Sequence, residues 1–215
     1  MYKRLTALVL VLLAASGATA SYQAEAQVPA TLKYGSTGPD VPDLQFRLQT
    51  LGYFKGSITT TFGMSTRNAL MGFQRANGIA KDGIAGPRTW GKLKKLSVSR
   101  PELSKLARII YSEARGEVYK GQVAVGAVVM NRLISPKFPK TVTGIIFEQS
   151  AFTAVADGQY WLLPNQTAFK AAREAVRGYD PTGNALFYYN PDTATSDWIR
   201  TRKIVSKIGN HVFAK

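Results

Sequence analysis

A polar break at residues 97–100, relieved only by Val98 and followed at once by Pro101, divides this chain into two stretches with separate helical apolar rhythms. In the first stretch, Val41, Leu44, Leu48 and Leu51 keep the spacing of one helix face. Asp40 or Pro42 can open that helix; Gly52 stops it, and Tyr53 and Phe54 pack behind. Ala69, Leu70 and Phe73 mark a second helix, which Thr61 or Ser65 can cap and Asn77-Gly78 ends with residues that tolerate a left-handed backbone. A tight loop, Asp82-Gly83-Ile84-Ala85-Gly86, leads to Pro87 and a short third helix through Trp90 and Leu93. In the second stretch, Leu103, Leu106, Ala107, Ile110 and Ala114 form one helical stripe, and residues 123–129 form an apolar helix that Asn131-Arg132 cap and brace. The expected architecture is a mainly helical chain of two modules, residues 33–96 and 101–215, joined at the polar break.

Ahead of both modules, Lys3 and Arg4 precede an apolar run over residues 5–18, and small-x-small sites follow at Ala18-Thr19-Ala20 and Ala24-Glu25-Ala26. That order is expected of a secretory signal peptide, residues 1–26, cleaved at the second site. The alternative, a retained anchor, is less favoured because the run falls short of the ~20 residues a spanning helix needs. No later segment reads as a membrane span, and residues 27–32 read as a linker. A formal net charge of +15 attracts polyanions: nucleic acid, anionic lipid or a carboxylate-bearing cell wall. Export favours the wall. The basic residues are dispersed, with no zinc-finger or basic-zipper pattern, so nucleic acid is not an expected partner.

The chain has no cysteine and one histidine, His211, which reads as structural. A thiol nucleophile is excluded, and a zinc hydrolase or a Ser-His-Asp triad has too few ligands or bases to draw on. No S-x-x-K or G-x-S-x-G is present. No metal or cofactor is expected, and carboxylates, hydroxyls and basic groups remain for chemistry. Glu113 stands out among them, because a turn of ~100° per residue places it at the margin of the apolar stripe. A half-desolvated carboxylate suits a general acid; an ordinary ion pair with Arg108, Arg115 or another basic residue is the competing reading.

The segments LQFRLQTLGYF and TFGMSTRNALMGFQRANGIAKDGIAGPRTWGKL resemble the three-helix peptidoglycan-binding domain over nearly the whole first module. The resemblance implies wall binding, with Asp82, Gly83, Gly86, Thr89 and Trp90 as candidate contacts. By residue type, Leu44, Phe73 and Trp90 suit the core and the glycines suit turns.

In the second module, IIYSEARGEVYKGQVAVGAVVMNRLI, KAAREAVRGYDPTGNALFYYNP, SDWIRTR and IGNHVF resemble the SleB-type spore cortex-lytic enzymes and related cell wall hydrolases. The resemblance implies a lysozyme-like, mainly helical catalytic domain with a small β element, so the whole chain falls in the mainly α, or α+β, class. It also implies lytic transglycosylation of cortex glycan during germination, with Glu113, the first glutamate of E-A-R-G-E, as the catalytic residue. Glu117, Glu148 and Asp157 are the candidates for a second acid, should the reaction be hydrolytic. Phe152, Tyr160, Trp161, Tyr188, Tyr189 and Trp198 are candidates to stack on sugars, and Thr153, Gln159 and Asn190 to hydrogen-bond them; Glu117 also supports the loop after Glu113. The expected partner is peptidoglycan, of cortex or wall, together with an inhibitory or stabilising protein. The competing functions are an N-acetylmuramoyl-L-alanine amidase and a wall-binding protein without activity.

Overall fold

The structure is a computed structural model that describes residues 29–215; the signal-like segment lies outside the described residues. Among the described residues no helix is long and apolar enough to cross a membrane.

Three helices, α1 (Asp40–Thr50), α2 (Met64–Ala76) and α3 (Pro87–Leu96), enclose a core of Val41, Leu44, Leu48, Phe54, Phe62, Leu70, Phe73, Trp90 and Leu93. Asp40 begins α1, and Pro87 sits in the first turn of α3. Neither Thr61 nor Ser65 caps α2. Gly63 takes that place in extended conformation without a side-chain bond, and the bend of residues 59–61 is instead tied to the helices by Gln45. Gln45 donates to Thr66 Oγ1 at 2.9 Å and accepts from Thr59 N at 2.7 Å, so a buried amide knits the loop between the first two helices. Gln74 repeats the device one helix later. Its amide donates to Asp82 Oδ1 (2.8 Å) and accepts from Gly83 N (3.0 Å).

The second module opens with α4 (Arg100–Ala114). Ser99 and Glu102 form a reciprocal capping box there, and Pro101 stands in the first turn. It packs with α5 (Tyr119–Ile134) and α8 (Gln166–Val176); between these lie α6 (Val142–Ile146), α7 (Thr153–Ala156) and a 3-10 turn, Gln159–Trp161. Gly126 lets the three long helices meet, since a Cβ there would lie 2.8 Å from Ile110 Cδ1 and 3.0 Å from Ala175 Cβ. The small sheet has the order β1-β3-β2, all antiparallel, from β1 (Phe187–Tyr189), β2 (Ile204–Ile208) and β3 (His211–Ala214). A short α9 (Asp197–Arg200) fills the connection between β1 and β2.

Asn131 and Arg132 do not cap the apolar helix; they lie inside α5, on its buried side. Asn131 donates to Ala185 O and Asp180 Oδ2, and Arg132 Nε donates to Leu186 O at 2.8 Å, so both hold the approach to β1. The Asp180 carboxyl is held below its usual range by bonds from Thr182, Asn131 and Asn184, which outweigh the opposing effect of burial. Burial is the largest single influence on it.

The polar break does not leave the two modules apart. Arg47 donates to Ser97, Arg177 Nε donates to Thr50 O at 2.7 Å, and the Arg100 guanidinium lies 5.2 Å from the Phe46 ring centre. Phe46, although on α1, belongs to the buried apolar cluster of the second module, together with Val98 and Leu103.

Candidate active site

Glu113 sits in the last turn of α4, where the helix end delivers its side chain to a cleft of about 810 Å³. The other walls come from Phe138, from residues 148–152 ahead of α7 and Thr153 at its start, from β1 and the turn after it, and from Trp198 of α9. Both carboxylate oxygens are held: Oε1 accepts from Ala154 N at 2.8 Å, and Oε2 accepts from the Tyr188 hydroxyl at 2.8 Å. The backbone bond comes from the first turn of α7 and the hydroxyl from the middle of β1, so two separate elements fix one rotamer. Burial pushes the Tyr188 hydroxyl well above its ordinary pKa of 10, and the adjacent Glu113 carboxylate pushes it further. Tyr188 therefore stays protonated and remains a donor. Glu113 makes no salt bridge among the described residues: Arg108 donates to Trp161 O, Arg115 to Gln159 Oε1 and Arg132 Nε to Leu186 O, although Arg132 acts on Glu113 through space.

Replacing Tyr188 with Phe keeps the ring against Phe152 and Phe213 and removes only the hydroxyl. Loss of one hydrogen bond to a charged group, worth about 1.5–3 kcal/mol, is expected to cut kcat by roughly tenfold or more with little change in KM. Steady-state kinetics on a soluble glycan would test this, and an unchanged kcat would remove Tyr188 from the site.

Thr153, Tyr188, Tyr189, Asn190 and Trp198 line the cleft, and Phe152 is buried at its base. Four other candidates do not line the cleft; one of them, Trp161, is exposed outside it. Tyr160 is 2 % exposed and packs edge-on against Phe147 and Trp161. The Gln159 amide is occupied by Arg115 and Asp157. Glu117 turns to the β2–β3 connection, where it accepts from Asn210 N and Nδ2 at 3.1 and 3.0 Å. Of the possible second acids, Glu148 lines the cleft, whereas Asp157 is engaged with Gln159. In the first module Trp90 and Thr89 are buried: the indole donates to Ala30 O, and Thr89 Oγ1 accepts from Gln74. Gly83 is buried at φ +71, and Gly86 precedes α3 in extended conformation, so these four residues serve the bundle interior and its loop. Asp82 is exposed but turned toward Gln74 and Ile84 N; the Ile84 bond leads the effects that lower its pKa.

The bond from Glu117 to Asn210 needs Gly209 beside it. That residue has φ +59, and a Cβ would fall 1.9 Å from Glu117 Oε2. Gly209→Ala should therefore displace Glu117 as well as strain the turn, at a cost of about 1–3 kcal/mol. Urea denaturation would measure it, and a loss below a few tenths would show that the turn relaxes freely.

Two cleft residues were read only as structural. His211 lines the cleft, 5.2 Å ring to ring from Tyr188, and burial lowers its pKa from 6.5, so it is neutral at pH 7. Arg132 lines the cleft with its guanidinium over three phenylalanine rings. The available signal for Arg132 was its position on α5, seven residues past Val125 and so on the same buried face.

Comparison with known proteins places this geometry in context. Residues 116–214 match the Cell Wall Hydrolase family, and residues 37–93 match the putative peptidoglycan binding domain. The chain is 42 % identical over 222 aligned positions to a spore cortex-lytic enzyme of Bacillus cereus, covering 86 % of each. It is 41 % identical to a spore cortex-lytic enzyme of Oceanobacillus iheyensis, covering 86 % of this chain and 87 % of that one. Among solved structures it is similar to the catalytic domain of the Bacillus cereus SleB protein, with 58 % identity and a TM-score of 0.53, over 55 % of this chain and 93 % of that one. The catalytic domain of the germination-specific lytic transglycosylase SleB from Bacillus anthracis gives the same identity and TM-score and is covered over 97 % of its length.

Proposed function

This chain belongs to the spore cortex-lytic enzyme family, and from that premise we propose that it is exported and cleaves the MurNAc–GlcNAc bond of cortex peptidoglycan during germination by lytic transglycosylation. The observation that carries the chemistry is Glu113, a single carboxylate fixed at both oxygens on the wall of a cleft with aromatic and hydroxyl-bearing sides.

In this reading protonated Glu113 gives its proton to the bridging oxygen as the bond to the muramic anomeric carbon breaks. The carboxylate then takes the proton of the muramic 6-hydroxyl, which attacks that carbon and closes a 1,6-anhydro ring. Glu113 ends protonated, and the substrate has supplied its own nucleophile, so no second carboxylate is required. Tyr188 and Ala154 N–H act as positioning groups that keep the carboxyl in one place through both transfers. The first module, residues 33–96 in our reading, holds the enzyme on the wall, and residues 1–26 direct export.

Glu148 on the same cleft gives a hydrolytic variant a specific second acid, with water replacing the 6-hydroxyl. Mass spectrometry of digested cortex separates the outcomes. Anhydro-muramic ends are expected; reducing muramic ends would replace the transglycosylase with a hydrolase. Free stem peptides on intact glycan would instead sink the glycosidic reading in favour of an amidase.

A further inference from the structure

Arg132 is a buried cation that makes no salt bridge among the described residues, although the Glu148 and Glu113 carboxylates act on it through space. It is 6 % exposed, its Nε is committed to Leu186 O, and its Nη1 is buried without a hydrogen-bond partner. The guanidinium carbon lies 5.1, 5.2 and 5.6 Å from the ring centres of Phe138, Phe152 and Phe187. Those faces stabilise the charge, but they accept none of its remaining N–H groups in the plane of the fork. The residue lines the cleft that holds Glu113, and it is the one permanent cation among the described lining residues, since His211 is neutral there. A guanidinium so placed is costly to bury, and an incoming oxygen acceptor would satisfy it.

Peptidoglycan glycan alternates two sugars that share the ring, the N-acetyl group and the 6-hydroxyl. A cleft that read only those features would cut both linkages of the strand. The D-lactyl arm on the 3-oxygen of muramic acid is what tells the sugars apart, and it always presents a carbonyl oxygen, as an acid or as an amide to a stem peptide. The arm leaves the same ring whose anomeric carbon reacts, so its carbonyl falls within the width of one cleft of the carboxyl that protonates the bond. Resting on the reading that this cleft holds glycan, we propose that Arg132 recognises the lactyl carbonyl oxygen and thereby sets muramic acid, not glucosamine, at Glu113.

The test uses full-length protein carrying Glu113→Gln, so that ligands bind without turnover. Titration followed by NMR would compare GlcNAc–MurNAc with GlcNAc–GlcNAc, which differ only in the lactyl arm, and would include the lactyl group as free acid and as amide. The lactyl-bearing disaccharide is expected to bind about tenfold or more tightly, the gain of one charge-assisted hydrogen bond. Adding Arg132→Met should abolish that preference, and Arg132→Lys should keep part of it. A preference for both forms supports recognition of the carbonyl, and a preference for the acid alone supports recognition through its charge. An undiminished preference in a folded Arg132→Met protein overturns the role of Arg132 and leaves the glycan reading standing. Binding of neither disaccharide to the Glu113→Gln protein overturns the glycan reading, and this inference with it.

Discussion

Glu113→Gln is expected to lower turnover on cortex glycan by about 10²–10⁴-fold, the range for losing a general acid–base group, while leaving folding and wall binding intact. Gln preserves the shape of the side chain. Its amide oxygen can still accept from Ala154 N, and Tyr188, free to rotate its hydroxyl, can accept from the amide nitrogen. What Gln cannot do is give up a proton to the bridging oxygen and recover one from the 6-hydroxyl. The comparison variants are Glu117→Gln and Glu148→Gln. Glu117 is bound to Asn210 at the β2–β3 turn, so its loss should act on stability more than on kcat. Glu148 is exposed at the cleft, and its removal should leave a transglycosylase near full rate but would disable a hydrolase. Single-turnover kinetics on a defined glycan would check the set. Near-normal turnover in Glu113→Gln, with collapse in Glu148→Gln, would reassign the catalytic group.

The position of Glu113 was legible because it depends on one helix. The stripe from Leu103 to Ala114 fixes the face, and the E-A-R-G-E resemblance names the residue. Tyr188, Tyr189 and Asn190 were legible as a strand-like run at a turn, where cleft residues often lie, and Trp198 only by residue type. Arg132 was not, because its surroundings are assembled from Phe138, Phe152 and Phe187, which lie on three separate segments. Nothing local says that those rings converge. Tyr160 and Gln159 failed in the opposite sense: they have the right chemistry and lie near the right loop, but a 3-10 turn directs one inward and Arg115 takes the other. The β2–β3 hairpin was legible only as part of a family resemblance, since its hydrophobic pattern is short and interrupted by Lys207 and the Gly209-Asn210 turn.

The contact between modules was also hidden, and it carries the second large effect. On α1, Leu44 and Leu48 face the core of the first module, and Phe46 lies ~200° around the helix from both, on what sequence alone would call the polar side. The structure gives that ring to the second module's cluster, and only residues 97–99 separate α3 from α4. The modules are therefore packed and are not two bodies on a flexible tether, so wall binding by one sets the orientation of the other as well as its local concentration. The Bacillus cereus relative was solved as a catalytic domain alone. Truncating a buried Phe to Ala costs about 3–5 kcal/mol, and here the loss falls on the coupling. Wild type is expected to unfold in urea as one transition. Phe46→Ala should resolve it into two, with Trp90 reporting the first module and Trp161 and Trp198 the second. Glycan cleavage on short soluble fragments should change little, because Phe46 is not among the cleft residues, while the rate on intact sacculi should fall as the modules lose their fixed orientation. A single transition at the wild-type midpoint would show that Phe46 contributes nothing measurable to the coupling of the two modules.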